Sequence, residues 1–221
     1  MLKFFNANQK NFLKKLDIVL SVRKLQQKNQ SSSVKKILYD VRKGGDKAVI
    51  KYEKKFSKIK LSPKNIKFSK NEIKMISKKI DKNLKNSIDI AFKRIKQFHS
   101  KQKFSSFRYK DKYKNELSYK FTPIEKVGVY VPGGTASYPS TVLMNCIPAM
   151  VAGVKNIYLT TPALSSNVNP GIIYAAKKCG VNEIYKTGGA HSIAALTYGT
   201  QTFKKVDKIV GPGNTYVASA K

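Results

Sequence analysis

Three glycine-bearing turns hold the residues of this chain that could meet a ligand. The first is Pro132-Gly133-Gly134, after the apolar run Val127–Val131. The second is Gly188-Gly189-Ala190-His191, after Glu183–Lys186. The third is Gly211-Pro212-Gly213-Asn214, after Lys208–Val210. Each turn follows a β-type run and precedes an apolar helical pattern, the opening of a βαβ unit. A glycine lets a ligand approach the backbone because no Cβ stands in the way. A helix start offers free N–H groups to an anion. Together they suit the binding of an anionic ligand. The same glycines also satisfy a purely connective reading, as tight βα turns. Neither G-x-G-x-x-G nor the P-loop pattern is present.

Acid–base groups are few. The chain has two histidines, His99 and His191, and after residue 126 only two carboxylates, Glu183 and Asp207. There is no H-E-x-x-H, no G-x-S-x-G and no cluster with metal-ligand spacing. His99 ends a lysine-rich helical pattern, where it complements the helix dipole. His191 lies on a ligand-facing edge, where it reads either as a ligand contact or as a local hydrogen-bonding group. The hydroxyls of Tyr130, Thr135, Ser137, Ser140 and Thr141 could orient a ligand, but no evident base adjoins them.

Positioning three such turns on one side requires a parallel sheet. Strands are expected at 127–131, 156–160, 183–186 and 208–210, with helices at 142–154, 168–179, 192–198 and from 215 onward. Ligands bind at the C-terminal edge of such sheets. Upstream, residues 8–27 form an amphipathic helical pattern carrying Phe12, Leu13, Leu16, Val19, Leu20 and Leu25. A polar break is expected at 26–33. Ser33 then caps a helix over 34–43, ended by Gly44-Gly45, and Asp46 caps 47–56. A short strand is expected at 66–68. Ser69 and Glu72 have capping-box spacing for a helix over 71–80, and Asp81 starts another over 82–101. Residues 104–109 and 117–121 read as a hairpin. The fold class is α/β: a helical N-terminal region followed by an incomplete Rossmann-like doubly wound parallel sheet. The expected divisions are an N-terminal arm at 1–28, a lysine-rich helical region ending in the hairpin at 29–126, and a nucleotide-binding domain at 127–221.

Charge is unevenly spread. The formal net charge is +32, and residues 1–126 hold 36 of the 44 basic and 10 of the 12 acidic side chains. Glycine runs the other way, with 11 of 13 after residue 126. A basic surface can bind nucleic acid. Lysine outnumbers arginine by 40 to 4, however, and bidentate recognition favours arginine. No specific nucleic-acid partner is therefore expected. Cys146 and Cys179 lie in apolar helical patterns and read as small buried residues of a reducing cytoplasm. The longest apolar stretch, 141–154, is too short to span a bilayer. No membrane partner is expected, and the N-terminus lacks the apolar core of a secretory signal.

Several long motifs now combine. Val127-Gly-Val-Tyr-Val-Pro-Gly-Gly134 with Tyr138-Pro-Ser-Thr-Val-Leu-Met144 resembles histidinol dehydrogenase. So do Gly188-Gly-Ala-His-Ser-Ile-Ala-Ala-Leu196 and Val206-Asp-Lys-Ile-Val-Gly-Pro-Gly-Asn-Thr-Tyr-Val217. Upstream, Val41-Arg-Lys-Gly-Gly-Asp-Lys-Ala48 with Tyr52 and Phe56, and Phe98-His-Ser-Lys-Gln-Lys103, agree. The resemblance implies oxidation of L-histidinol to L-histidine, the last two steps of histidine biosynthesis, with two NAD⁺ and a bound Zn²⁺ in a cytoplasmic homodimer. It places NAD contacts at Tyr130, His191 and Asn214, with His191 standing where the family has glutamine. The family's zinc ligands, its Glu-His acid/base pair and its histidinol contacts are expected beyond Lys221. The family also packs its helical N-terminal part against a later Rossmann-like segment. The 221 residues alone are therefore expected to be inactive. Two other function classes stand beside this one: an inactive nucleotide-binding module, and a basic nucleic-acid-binding protein.

Overall fold

Alternation along short β-type runs builds the centre of the molecule. The computed structural model describes residues 5–133, 138–163 and 168–221, without the side chains of 20–31. In chain order the elements are α1 (Phe12–Ser57), α2 (Lys70–Lys78), α3 (Lys82–Ser100), β1 (Phe107–Lys110), β2 (Glu116–Tyr119), β3 (Lys126–Tyr130), α4 (Pro139–Val151), β4 (Asn156–Thr160), α5 (Pro170–Lys178), β5 (Glu183–Tyr185), α6 (Gly189–Tyr198), β6 (Lys208–Val210) and α7 (Thr215–Ala220). The expected positions of Gly134, Thr135 and Ser137 lie outside the described residues.

The main sheet has the order β5-β4-β3-β6, all parallel. Successive crossovers move outward from β3 to β5, and the chain then returns to β3's other side. That reversal between β3 and β6 makes the sheet doubly wound, with the order of the first four Rossmann strands. Side chains alternate across it. Val127, Val129, Ile157, Leu159 and Ile184 face α4 and α5, with Ile88 of α3 behind them. Tyr130, Tyr158 and Tyr185 face the opposite way, toward α1 and α6. The N-terminal helices add an outer layer on both sides of this core: α1 packs on α6 and α7, α2 on α5, and α3 on α4 and α5.

Several boundaries follow from local chemistry. The Ser69–Glu72 capping box forms: Ser69 Oγ accepts Glu72 N–H at 3.2 Å, and Ser69 N–H donates to Glu72 Oε2 at 2.7 Å. Asp81 Oδ1 accepts the N–H groups of Asn83 and Leu84. Pro139 and Pro170 occupy first-turn positions of α4 and α5, where the missing N–H costs nothing. The hairpin β1–β2 pairs Phe107 with Tyr119, apart from the main sheet. The strand expected at 66–68 is a single antiparallel bridge, Lys67 to Tyr185, on the β5 edge.

Three expectations at the N-terminus are corrected. Helix α1 runs through 26–33, so there is no polar break there and Ser33 is not a cap. Gln26–Ser33 contains neither Gly nor Pro, and polar residues alone do not stop a helix. The break in α1 comes at Gly45, with φ 53° and ψ −136°. Asp46 does not cap the segment after it. Its carboxylate accepts from the hydroxyls of Thr200 and Thr202 beyond α6, while Gln201 Oε1 accepts its N–H at 3.1 Å.

Candidate functional site

All three glycine turns stand at the C-terminal end of the sheet, and they are packed on one another. A Cβ on Gly133 or Gly188 would come within 2.9 or 2.2 Å of the Pro162 ring. One on Gly211, at φ +109°, would lie 2.1 Å from the Tyr130 carbonyl oxygen. Beneath them, Thr160 Oγ1 donates to Thr187 O at 2.6 Å, tying the end of β4 to the turn after β5. The connective reading of these glycines therefore holds, and any ligand chemistry rests on the side chains around them.

Tyr130 ends β3, nearly buried, and its hydroxyl accepts Gly189 N–H at 3.2 Å. Burial pushes its phenol above the usual range, with the charge of Glu53 adding and the Gly189 bond opposing. His191, in the first turn of α6, is only 2 % exposed. Its Nε2 lies 2.6 Å from Glu53 Oε2, and Glu53 is wholly buried. The same Oε2 accepts Gly188 N–H at 3.3 Å. Tyr52 and Phe56, on the α1 turn that carries Glu53, stack on the imidazole with centroids 6.1 and 6.0 Å away. Asn214 caps α7, where its Oδ1 accepts Val217 N–H at 3.1 Å, leaving its NH₂ as the group that can still donate.

A groove of about 600 Å³ runs between α1 and these turns, lined among others by Lys36, Tyr52, Phe56, Gly188, His191 and Asn214. Tyr130 stands behind Gly189 rather than in the wall. The structure thus brings His191 and Asn214 to one groove and joins Tyr130 to it through a peptide N–H. It also changes the expected role of the α6 N-terminus. Two of its free N–H groups are taken by Glu53 and Tyr130. A carboxylate already occupies the place an anion would favour.

The sequence model of the family described as histidinol dehydrogenase matches residues 20–221. The chain belongs to the histidinol dehydrogenase family. It is 52 % identical to the histidinol dehydrogenase of Pelagibacter ubique over 221 residues, which is all of this chain and 51 % of that protein. Identity to the histidinol dehydrogenase of Carboxydothermus hydrogenoformans is 44 % over 201 residues, or 91 % of this chain and 47 % of that one. A crystal structure of histidinol dehydrogenase from Elizabethkingia anophelis matches with a TM-score of 0.81 at 42 % identity, covering 86 % of this chain and 44 % of that chain. The chain spans about half the length of the curated relatives it matches.

Glu53 is the site residue that sequence reasoning passed over. Its signal is faint but present. On α1 the buried positions Val49 and Tyr52 mark the apolar face, and Glu53 falls beside them, at an inward position among lysines. Ser140 and Thr141 lie at the start of α4 and are not among the groove-lining residues.

Proposed function

We propose that this chain carries the NAD-binding part of a histidinol dehydrogenase, an oxidoreductase that takes L-histidinol to L-histidine with two NAD⁺ in a cytoplasmic homodimer. One observation carries the reading. In a chain of this family, a groove lined by His191 and Asn214 opens between α1 and the turns after β4, β5 and β6, at the C-terminal sheet edge where ligands of open α/β sheets bind. Its volume suits a small molecule, for which pockets run about 300–1,000 Å³. The residues fit a dinucleotide: Lys36, Lys51 and Lys55 on α1 supply positive charge for phosphates, Tyr52 and Phe56 supply flat apolar surface, and His191 and Asn214 supply directional hydrogen bonds. Tyr130 holds the Gly189 peptide against which the nucleotide rests. NAD⁺, when bound, supplies the hydride acceptor. The side chains here orient it.

Zinc does not fit the described residues, among which no group of three His, Cys, Asp or Glu side chains could hold a metal ion. No step through zinc is assigned to them. The 221 residues by themselves bind NAD⁺ and do not turn over L-histidinol. Calorimetric titration with NAD⁺ tests the first half. His191→Ala and Asn214→Ala should each weaken binding about tenfold, the worth of one buried hydrogen bond. No binding by the parent, or equal binding by the double variant, would sink the reading. NADH formation from L-histidinol by the purified chain, with zinc supplied, would overturn the second half.

A further inference from the structure

Among the described residues, two buried side-chain polar atoms lack a hydrogen-bond partner, Glu53 Oε1 and His191 Nδ1. They belong to one pair, joined at 2.6 Å through the other atom of each. Glu53 Oε2 already accepts the Gly188 N–H, and as an ionised carboxylate oxygen it can only accept from His191 as well. Nε2 therefore carries the proton of this contact. In an imidazole with one proton, the remaining nitrogen can only accept. That nitrogen, Nδ1, belongs to the residue that lines the groove, whereas Glu53 does not reach the wall. The stacked rings of Tyr52 and Phe56, tilted 26° and 29° from the imidazole, hold its plane.

The surroundings select what Nδ1 meets. A phosphate beside this helix start would face the buried Glu53 carboxylate and find two of its N–H groups already bonded. An uncharged donor meets no such repulsion and satisfies the open acceptor.

We propose that Glu53 is a positioning residue. It fixes His191 as the Nε2–H tautomer, so that Nδ1 accepts a hydrogen bond from an uncharged hydroxyl or amide N–H of the bound dinucleotide, away from its phosphates. The ligand half of this statement rests on the nucleotide reading above; the tautomer half does not.

Nitrogen NMR of ¹⁵N-histidine-labelled protein tests it at about pH 8, above the ordinary imidazole range. The chain has two histidines, so His99→Gln leaves His191 as the single signal. The expected spectrum is the Nε2–H tautomer. Glu53→Gln keeps an oxygen where Gly188 N–H needs one, and should preserve both the tautomer and NAD⁺ affinity. Glu53→Leu removes the acceptor, and should mix the tautomers and raise the Kd for NAD⁺ about tenfold. An Nδ1–H tautomer or an imidazolium in the parent overturns the proposal, as does a changed tautomer in Glu53→Gln. These two spectra decide it even if Glu53→Leu does not fold. A mixed tautomer in Glu53→Leu with unchanged affinity overturns the ligand half. Absence of NAD⁺ binding by the parent overturns the nucleotide reading and the ligand half together, while the spectra still decide the role of Glu53.

Discussion

Tyr52 stands next to Glu53 in sequence and donates its hydroxyl to Asp40 Oδ2 at 2.6 Å. Burial first, and then that bond, push its phenol up to about 12 from 10.0. The folded state therefore holds this proton more tightly than the unfolded chain does. The stabilisation is complete below about pH 10 and is lost as pH rises toward about 12. Urea unfolding at about pH 9 and pH 11 should show a smaller alkaline loss in Tyr52→Phe than in the parent; equal losses would show that the Tyr52 proton carries no linkage. At this scale the sequence was legible where a residue sits in a turn. His191 and Asn214 could be picked out because glycines and strand ends flank them. Glu53 could not, because Lys51, Lys54 and Lys55 make its neighbourhood read as a solvated basic face. Only the approach of α6, 138 positions away, turns that carboxylate inward.

Elements show a similar division between local and distant causes. The four strands of the main sheet and the Ser69–Glu72 cap are local: alternation and cap spacing specify them, and they stand where the residues put them. Replacing Ser69 with Ala should cost about 1 kcal/mol in chemical denaturation, because the Glu72 N–H of the first helical turn loses its side-chain acceptor. Turn glycines are distant in cause. Nothing near Gly188 in sequence reveals that Pro162 will press on it. Gly188→Ala should cost about 1–3 kcal/mol through that clash, and a melting temperature within about 1 °C of the parent would show that the turn relaxes freely. The run of α1 across 26–33 was illegible, since that segment is polar but lacks a breaker, whereas its break at Gly45 stands at the Gly44-Gly45 pair expected to end a helix, where Gln201 of the loop after α6 approaches. A Cβ on Gly45 would come within 2.5 Å of Gln201 Oε1.

Over the whole molecule, the +32 charge is the dominant long-range term. Like charges repel in the compact state, and salt screens them. Raising ionic strength from about 0.01 to about 0.15 M shortens the screening length from about 30 to about 8 Å. The melting temperature should therefore rise over that range, and a fall would mean that specific ion pairs such as Lys178–Asp89 outweigh the repulsion. Binding to unrelated DNA should fade over the same range. Among the described residues no helix is long and apolar enough to cross a membrane. The layering of the sheet was legible from alternation. The packing of the lysine-rich helices on α4, α5, α6 and α7 was not, since their apolar stripes do not say which partner they bury against.

The distance in sequence between the groove's two walls also sets a clock. Val49, Tyr52 and Glu53 meet α6 only after a loop of well over a hundred residues has closed, and that closure must precede any contact that rewards it. The strands β3 and β4 need no such wait. The groove should then assemble after the rate-limiting step of folding. Val49→Ala, at a fully buried position on α1, should speed unfolding several-fold and leave the folding rate nearly unchanged in stopped-flow measurements. During each refolding event, the groove would be the last feature this chain acquires.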